Sequence, residues 1–166
     1  MKAIVIYDSL YGNTEKVARA IGAGLSDATG TAGSVQVVNV GNVNRDGLAM
    51  LDLLLVGGPT HGSNPSPPMR DFLDRIPPNA LAGVQVAAFD TRTDMDEMTG
   101  LMRMFGKFLD RLGYAAPKIA ASLEAKGGQV VKPAEGFIVL GTEGPLLEGE
   151  LERAGEWGRQ IAASHV

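Results

Sequence analysis

The chain has 166 residues, a formal net charge of −4 and no cysteine. Without cysteine, disulfides, thiolate catalysis and cysteine-ligated zinc or iron–sulfur centres are excluded. The slightly acidic balance gives no support for binding to nucleic acid or to an anionic membrane. The apolar stretch that begins at Lys2 is far too short for a signal or transmembrane segment. The length predicts one domain over residues 1–166, with a cytoplasmic location as the default expectation.

The first polar loop of the chain lies between a predicted strand and a predicted helix. The apolar run 2–7 predicts a buried strand, and the pattern of 15–25 predicts a helix with one apolar side. Helix N-termini carry free N–H groups and about half a positive charge, which favour an anion. Gly12 permits the turn there, with φ > 0 as our expectation. Two alternatives stay open: the loop binds phosphate, or Asn13 or Thr14 caps the helix.

The rest of the chain alternates between strand and helix patterns. The predicted strands are Ser34–Val40, Leu51–Val56, Val84–Phe89 and Gln129–Leu140, the last interrupted by Pro133 and Gly136. The predicted helices are Met69–Ile76 with Ser66 as N-cap, Met95–Leu112, Pro117–Lys126 and a final helix with Leu147, Leu151, Ala154, Trp157 and Ile161 inward. We expect the methionine-rich helix 95–112 to face the core rather than a partner or ligand. This alternation predicts a three-layer, doubly wound α/β sandwich with a five-stranded parallel sheet of order 2-1-3-4-5.

Three of the predicted loops follow strands and should meet at one edge of the sheet. These loops are residues 8–14, 57–65 and 90–94. Ligands of doubly wound sheets bind outside the carboxyl ends of the strands where the strand order reverses. We therefore predict that Gly12, Thr60 and Thr91 lie close together in one ligand site. The turn 142–145 follows strand five and is expected to lie away from this site.

In these three loops the sequence resembles the flavodoxin family. Flavodoxins commonly have Ser/Thr-x-Thr-Gly-x-Thr after strand one, and residues 9–14 read Ser-Leu-Tyr-Gly-Asn-Thr. Tyr11 stands in place of the usual threonine, a variant similar to that of the flavodoxin-fold quinone reductases. Residues 57–60 match the Gly-x-Pro-Thr of the second loop, and Phe-Asp-Thr-Arg stands at 89–92 in the third. The order and length of the elements extend the resemblance over nearly the whole chain.

The resemblance implies FMN as the cofactor, without a metal and without a catalytic side chain. The first loop would hold the phosphate, the second would flank one side of the isoalloxazine ring, and the third would approach its pyrimidine edge or other face. The implied binding residues are Ser9, Leu10, Tyr11, Gly12, Asn13 and Thr14 in the first loop, Pro59, Thr60, His61 and Gly62 in the second, and Asp90, Thr91 and Arg92 in the third. A phosphate at a helix N-terminus needs no Arg or Lys.

The resemblance implies an electron carrier between protein redox partners, a reductase and an acceptor, as a monomer or weak homo-oligomer. The alternative is an FMN-dependent NAD(P)H:quinone-type oxidoreductase. Tyr11 favours it, as do second and third loops without the Trp and Tyr that usually cover the ring. A further alternative is a non-redox binding module with the same fold. A net charge of −4 is small for a flavodoxin and argues against a very low redox potential, because less Coulomb repulsion acts on the reduced flavin.

Several side chains allow more than one role. His61 is expected near the flavin rather than in bulk water. Arg92 either compensates the charge of the reduced flavin or forms a surface ion pair with Asp90 or Asp94. Asp8 has the place of a metal-binding acid in response regulators, but strand three is followed by Val-Gly-Gly without the acceptor aspartate. No Gly-x-Gly-x-x-Gly after a strand and no Gly-Lys-Ser/Thr predicts a dinucleotide or P-loop site.

Overall fold

The computed structural model describes residues 1–30, 34–93 and 113–164. Three sequence-based expectations lie outside these residues. They are the methionine-rich helix 95–112, its packing against the core, and the pairing of Arg92 with Asp94.

A parallel sheet forms the centre of the fold. Its strands are β1 (Ala3–Tyr7), β2 (Val35–Asn39), β3 (Leu53–His61), β4 (Asn64–Pro65), β5 (Gln85–Thr93), β6 (Gln129–Val130) and β7 (Glu135–Val139). Their order is β2-β1-β3-β5-β6, with β7 also paired to β5 and β4 paired to β3. Only β4 is antiparallel among the described strands. Since β6 and β7 lie one after the other beside β5, they together form the predicted fifth strand, and the order 2-1-3-4-5 is confirmed.

Helices cover both faces of the sheet. They are α1 (Asn13–Thr29), α2 (Pro67–Asp74), α3 (Ala115–Ala125) and α4 (Glu150–Ala163), and the short 3-10 helices Val40–Asn42 and Arg45–Met50 follow β2. Leu53 packs with α1 and α4 on one face, whereas Leu54 packs with α2 and α3 on the other, as the alternation of side chains along a strand requires. The predicted three-layer sandwich is therefore confirmed. Within the described ranges, no helix combines the length and the apolar character that crossing a membrane requires.

The second predicted loop is a strand extension. β3 continues to His61 and returns as β4 through a two-residue turn at Gly62 and Ser63. The φ angles of the turn residues are 49° and 68°, and positive φ at both positions is what a tight hairpin with matching twist needs. Gly57 fits the strand because a Cβ there would lie 2.4 Å from the ring of Phe89. The prediction of a loop over 57–65 was wrong because pairing with β5 outweighs the glycine and proline content.

The third predicted loop is also largely strand. β5 runs to Thr93, so Asp90, Thr91 and Arg92 have extended backbone and alternate between the two faces. The Thr91 side chain contacts α1 on one face, and the Asp90 side chain contacts α3 on the other. The location predicted for this segment is confirmed, whereas its predicted conformation was wrong.

Of the two residues predicted to interrupt the fifth strand, only Pro133 lies in the interruption. Residues 131–134, which include Pro133, separate β6 from β7. Gly136 does not interrupt the strand, because it pairs with Asp90 inside β7. A Cβ at Gly136 would lie 2.2 Å from Cζ of Arg92. Gly136 therefore makes room for the Arg92 side chain.

The predicted helices that fall within the described residues are present, with shifted ends. α1 begins two residues before its predicted start and α3 begins at Ala115 rather than at Pro117. α2 begins at Pro67, and the Ser66 hydroxyl accepts a hydrogen bond from the Met69 N–H at 3.4 Å. This confirms Ser66 as the N-cap.

Three of the five residues predicted to face inward from the last helix are buried. Ala154, Trp157 and Ile161 are buried in α4, and Trp157 packs edge-on against Phe89 and Phe137. Leu147 and Leu151 are each 40% exposed. Leu147 precedes the helix, and Leu151 lies in its first turn.

Candidate functional site

A cavity of about 320 Å³ opens at the carboxyl ends of the central strands, within the size range of small-molecule sites. It is lined by residues 9–11 and 13–14, residues 59–62, residues 91–93, and residues 139, 141 and 142. The predicted convergence of the first, second and third loops is therefore confirmed. Eleven of the thirteen predicted site residues line the cavity, and Gly12 and Asp90 are the two that do not.

The start of α1 faces this cavity without a side-chain cap. Gly12 precedes the helix with φ = 88°, as expected, and its N–H donates to the Ser9 hydroxyl at 3.0 Å. Neither Asn13 nor Thr14 caps the helix, so the capping alternative was wrong. Because the first-turn amides of a helix have no intrahelical acceptor, this end can donate several hydrogen bonds to an anion, and the helix dipole favours the negative charge.

Two buried threonines join the first and third segments. The hydroxyls of Thr14 and Thr91 lie 2.8 Å apart, and the two residues are 2% and 5% exposed. A hydroxyl has one proton and two acceptor lone pairs. Whichever threonine accepts in this pair therefore keeps its own proton for a further acceptor.

A fourth segment that sequence analysis placed elsewhere also lines the cavity. Val139, Gly141 and Thr142 belong to the end of β7 and the turn that follows it. Asn13 donates through its Nδ2 to the carbonyl of Glu143 at 3.0 Å. The expectation that the turn 142–145 lies away from the site was wrong, because β7 pairs with the last residues of β5 and carries the chain to the same edge.

Thr93, Val139, Gly141 and Thr142 were therefore missed by sequence reasoning. For Thr93 the signal was present, since it directly follows the predicted third-loop residues. The other three give no local signal, because Gly-Thr-Glu-Gly-Pro has the composition of any turn. Their position follows from a contact between residues 130 positions apart.

Arg92 is held in a charged clamp at the wall of the cavity. Its Nε and Nη2 donate to the two Asp90 carboxylate oxygens at 2.6 and 2.9 Å. Its Cζ lies 3.6 Å from the centre of the Tyr114 ring, a cation–π geometry. The Arg92 side chain is 16% exposed and that of Asp90 is fully buried. The expected pairing of Arg92 with Asp90 is confirmed, but the pair lies in the wall of the cavity rather than at the surface.

Asp90 does not line the cavity itself but is hydrogen-bonded to Arg92 and Thr60, which do. Its second oxygen accepts the Ala116 N–H at 2.8 Å, at the start of α3. Burial raises the pKa of the Asp90 carboxyl, while the Arg92 guanidinium and the Ala116 N–H act in the opposite direction. The resemblance implied that Asp90 approaches the flavin ring, but Asp90 is not among the residues that line the cavity.

The second segment contributes one partly buried hydrogen bond and one exposed side chain. The Thr60 hydroxyl accepts the Ala115 N–H at 3.0 Å. His61 is exposed and lines the cavity. Tyr11 is 49% and Leu10 65% exposed at the mouth of the cavity. Apart from His61 and Tyr11, no aromatic side chain of the described residues lines this cavity.

The Asp8 carboxylate is hydrogen-bonded within the protein. Its carboxylate accepts a short hydrogen bond from the Ser66 hydroxyl. Across the described ranges, no group of three or more His, Cys, Asp or Glu side chains is arranged to hold a metal ion.

Comparisons with known proteins agree with this geometry. The family described as Flavodoxin matches residues 5–157. A flavodoxin from the domain Archaea is 26% identical, with 99% of both chains covered and a TM-score of 0.73. Oxidised flavodoxin 1 from Bacillus cereus is 20% identical, with 98% of both chains covered and a TM-score of 0.72. Flavodoxin 2 from the same organism is 23% identical over 98% of this chain and 99% of its own, with a TM-score of 0.71.

At such identities the Bacillus cereus structures bear on the fold alone. The sequence match, in contrast, extends over most of the chain and includes all four segments that line the cavity. The chain belongs to the flavodoxin family, the FMN-binding carriers of electrons.

Proposed function

We propose that FMN occupies the cavity with its phosphate at the start of α1, and that the protein exchanges single electrons with protein partners. The proposal depends above all on one observation: a helix that opens into the cavity without a side-chain cap. An uncapped helix N-terminus inside a cavity fits a phosphate dianion. FMN, when bound, supplies the one-electron chemistry.

In this proposal the first segment holds the phosphate with neutral donors. The amides of Asn13 and Thr14 are the first two of α1, and the Thr14–Thr91 pair retains one hydroxyl proton for the phosphate. The cation at the cavity wall, Arg92, is paired with Asp90. The phosphate is therefore bound by oriented dipoles rather than by a free positive charge.

The second and third segments position the ring. Pro59, Thr60, His61 and Gly62 flank one side of it, and Arg92 and Thr91 approach its pyrimidine edge or other face. Arg92 is fixed by two hydrogen bonds and by Tyr114, so its positive charge is held at one place in the cavity wall. A fixed positive charge favours an anionic reduced flavin, but the Asp90 carboxylate offsets much of that effect.

No side chain acts as an acid or base in this function, because the electron moves through the cofactor. The exposed Leu10 and Tyr11 at the mouth leave an approach for partner proteins, a reductase and an acceptor. We propose a single domain over residues 1–166 that works as a monomer or weak homo-oligomer in the cytoplasm. Direct oxidation of NAD(P)H is not part of this proposal, because the family match favours the carrier.

The test is FMN binding by the purified protein and its Thr14→Ala variant. We expect a yellow protein whose FMN dissociation constant rises about 5–30-fold in Thr14→Ala, on the scale of about 1–2 kcal/mol for a hydrogen bond to a charged group. Riboflavin, which lacks the phosphate, should bind both proteins equally. Thr29→Ala, at the other end of α1, is the matched control and should bind FMN like the wild type.

Two results would contradict the proposal. A wild-type protein that binds no FMN in titration would support the non-redox binding module. Rapid NAD(P)H-dependent quinone turnover by the pure protein would replace the carrier with the reductase.

A further inference from the structure

The turn after β7 is a preformed hairpin beside the first segment of the cavity. We call residues 140–146 the C-terminal hairpin. Val139 and Leu146 form an antiparallel bridge. The Leu140 N–H donates to the Pro145 carbonyl at 2.8 Å, and the Leu147 N–H donates to the Ile138 carbonyl at 2.9 Å. These bonds hold the hairpin in place without help from a ligand.

Asn13 connects this hairpin to the start of α1. Asn13 is 8% exposed, and its Nδ2 donates to the Glu143 carbonyl at 3.0 Å. A Cβ at Gly144 would lie 2.8 Å from that Nδ2. The hairpin backbone therefore lies in close contact with the Asn13 amide. The Asn13 side-chain amide is hydrogen-bonded within the protein, whereas the backbone N–H of Asn13 is the first of α1.

This contact brings Thr142 to the phosphate end of the cavity. Thr142 lines the same cavity as Ser9 and Thr14, and the residue that follows it is bonded to Asn13. A phosphate bound by neutral donors gains from each additional hydroxyl, since a hydrogen bond to a charged group is about twice as strong as a neutral one.

We propose that the C-terminal hairpin forms part of the phosphate site, in which the Thr142 hydroxyl donates to the FMN phosphate. Asn13 acts as a positioning residue that holds the hairpin against α1. This inference rests on the proposed function, because it concerns the same cofactor. It predicts that the hairpin contributes to the preference for FMN over riboflavin.

The main test compares Thr142→Val with the wild type, titrated with FMN and with riboflavin. Valine keeps the shape of threonine and removes the hydroxyl. We expect the FMN dissociation constant to rise about tenfold, with riboflavin binding unchanged within about twofold. Thr142→Ser keeps the hydroxyl and should bind FMN like the wild type. Thr29→Val, at the other end of α1 and about 25 Å from its start, should change neither the FMN nor the riboflavin dissociation constant.

Asn13→Ala tests the positioning role. Removal of the side chain should weaken FMN binding through the hairpin, so the effects of Asn13→Ala and Thr142→Val should not add. The double variant should bind FMN no more than about twofold more weakly than the weaker single variant. Full additivity would show that Asn13 acts separately from Thr142 and would overturn the positioning role.

The outcomes separate this inference from the proposed function. A wild type that binds FMN, together with a Thr142→Val variant of equal affinity, would overturn the role of the C-terminal hairpin in phosphate binding and leave the carrier function intact. An equal loss of FMN and riboflavin affinity would show that Thr142 supports the ring or the fold, which also overturns the inference. A wild type that binds no FMN would overturn both proposals.

Discussion

Two helices start at the same edge of the sheet, and their first turns differ. At α1, Gly12 precedes the helix and no side chain caps it. At α3, neighbouring strands supply both acceptors: the Thr60 hydroxyl takes the Ala115 N–H and the Asp90 carboxylate takes the Ala116 N–H, at 3.0 and 2.8 Å. The protein therefore satisfies the amides of α3 by itself and leaves those of α1 for a ligand.

This difference is the reason the proposed function places the phosphate at α1 rather than at α3. A phosphate at α3 would have to displace a carboxylate that is fully buried and bonded to Arg92. A phosphate at α1 displaces no protein group from the first-turn amides. Since both helices present similar dipoles, the presence or absence of a built-in cap decides between them.

A third helix shows that a glycine before the helix is not sufficient. α4 follows Gly149 with φ = 88° and has no side-chain cap, as in α1. Its first turn carries Glu150 and Glu152, whose charge repels an anion. Glu150 accepts the Ile138 N–H at 2.6 Å and pairs with Arg153 at 2.7 Å. Burial opposes the charged form, yet these two partners hold the pKa of Glu150 below its usual value.

The largest effect is expected when α3 is opened by Asp90→Ala. The free energy of unfolding, measured with urea on protein without flavin, should fall by about 3 kcal/mol. Arg92 loses two hydrogen bonds, and the buried Ala116 N–H loses its acceptor. Asp71→Ala is the control, since its pair with Arg75 is exposed, and it should change stability by less than about 0.5 kcal/mol. A similar small change in both variants would show that the cap on α3 is weak.

The next effect is expected at α1, from Gly12→Val. A Cβ at this position meets nothing within 4 Å, so the cost comes from the backbone alone. Holding a valine at φ = 88° should weaken FMN binding by about 2 kcal/mol or more. Gly12→Asn should retain most of the affinity, because asparagine tolerates this conformation. Equal FMN affinity in all three proteins would mean that the start of α1 does not bind the phosphate.

The smallest effect is expected from Thr60→Val, which removes one of the two acceptors at α3. Stability should fall by about 1 kcal/mol, the usual value of a helix cap. Hydrogen exchange at the Ala115 N–H should become faster. Thr60→Ser keeps the hydroxyl and serves as the control. If serine and valine variants unfold alike, the Thr60 hydroxyl does not stabilise α3.

Local patterns were sufficient for the order of elements and for most of the site. Apolar runs marked β1 and β3, because strands buried on both faces contain little else. Turn residues after each strand marked the loops at the ligand edge. The patterns were weaker at the ends of elements. The predicted third strand ended at Val56, whereas β3 continues through Gly57, where the absence of a Cβ leaves room for the Phe89 ring.

By itself, the sequence determined the strand order and the edge at which the first, second and third segments meet, because these depend on short-range periodicity and on turn chemistry. Only the tertiary structure decided that the start of α1 stays uncapped and that Thr60 and Asp90 supply the acceptors at the start of α3. Thr60 and Ala115 are 55 residues apart, and Asn13 and Glu143 are 130 apart. Such contacts arise when the packing of helices on the sheet brings distant polar groups together, and no local pattern encodes that packing.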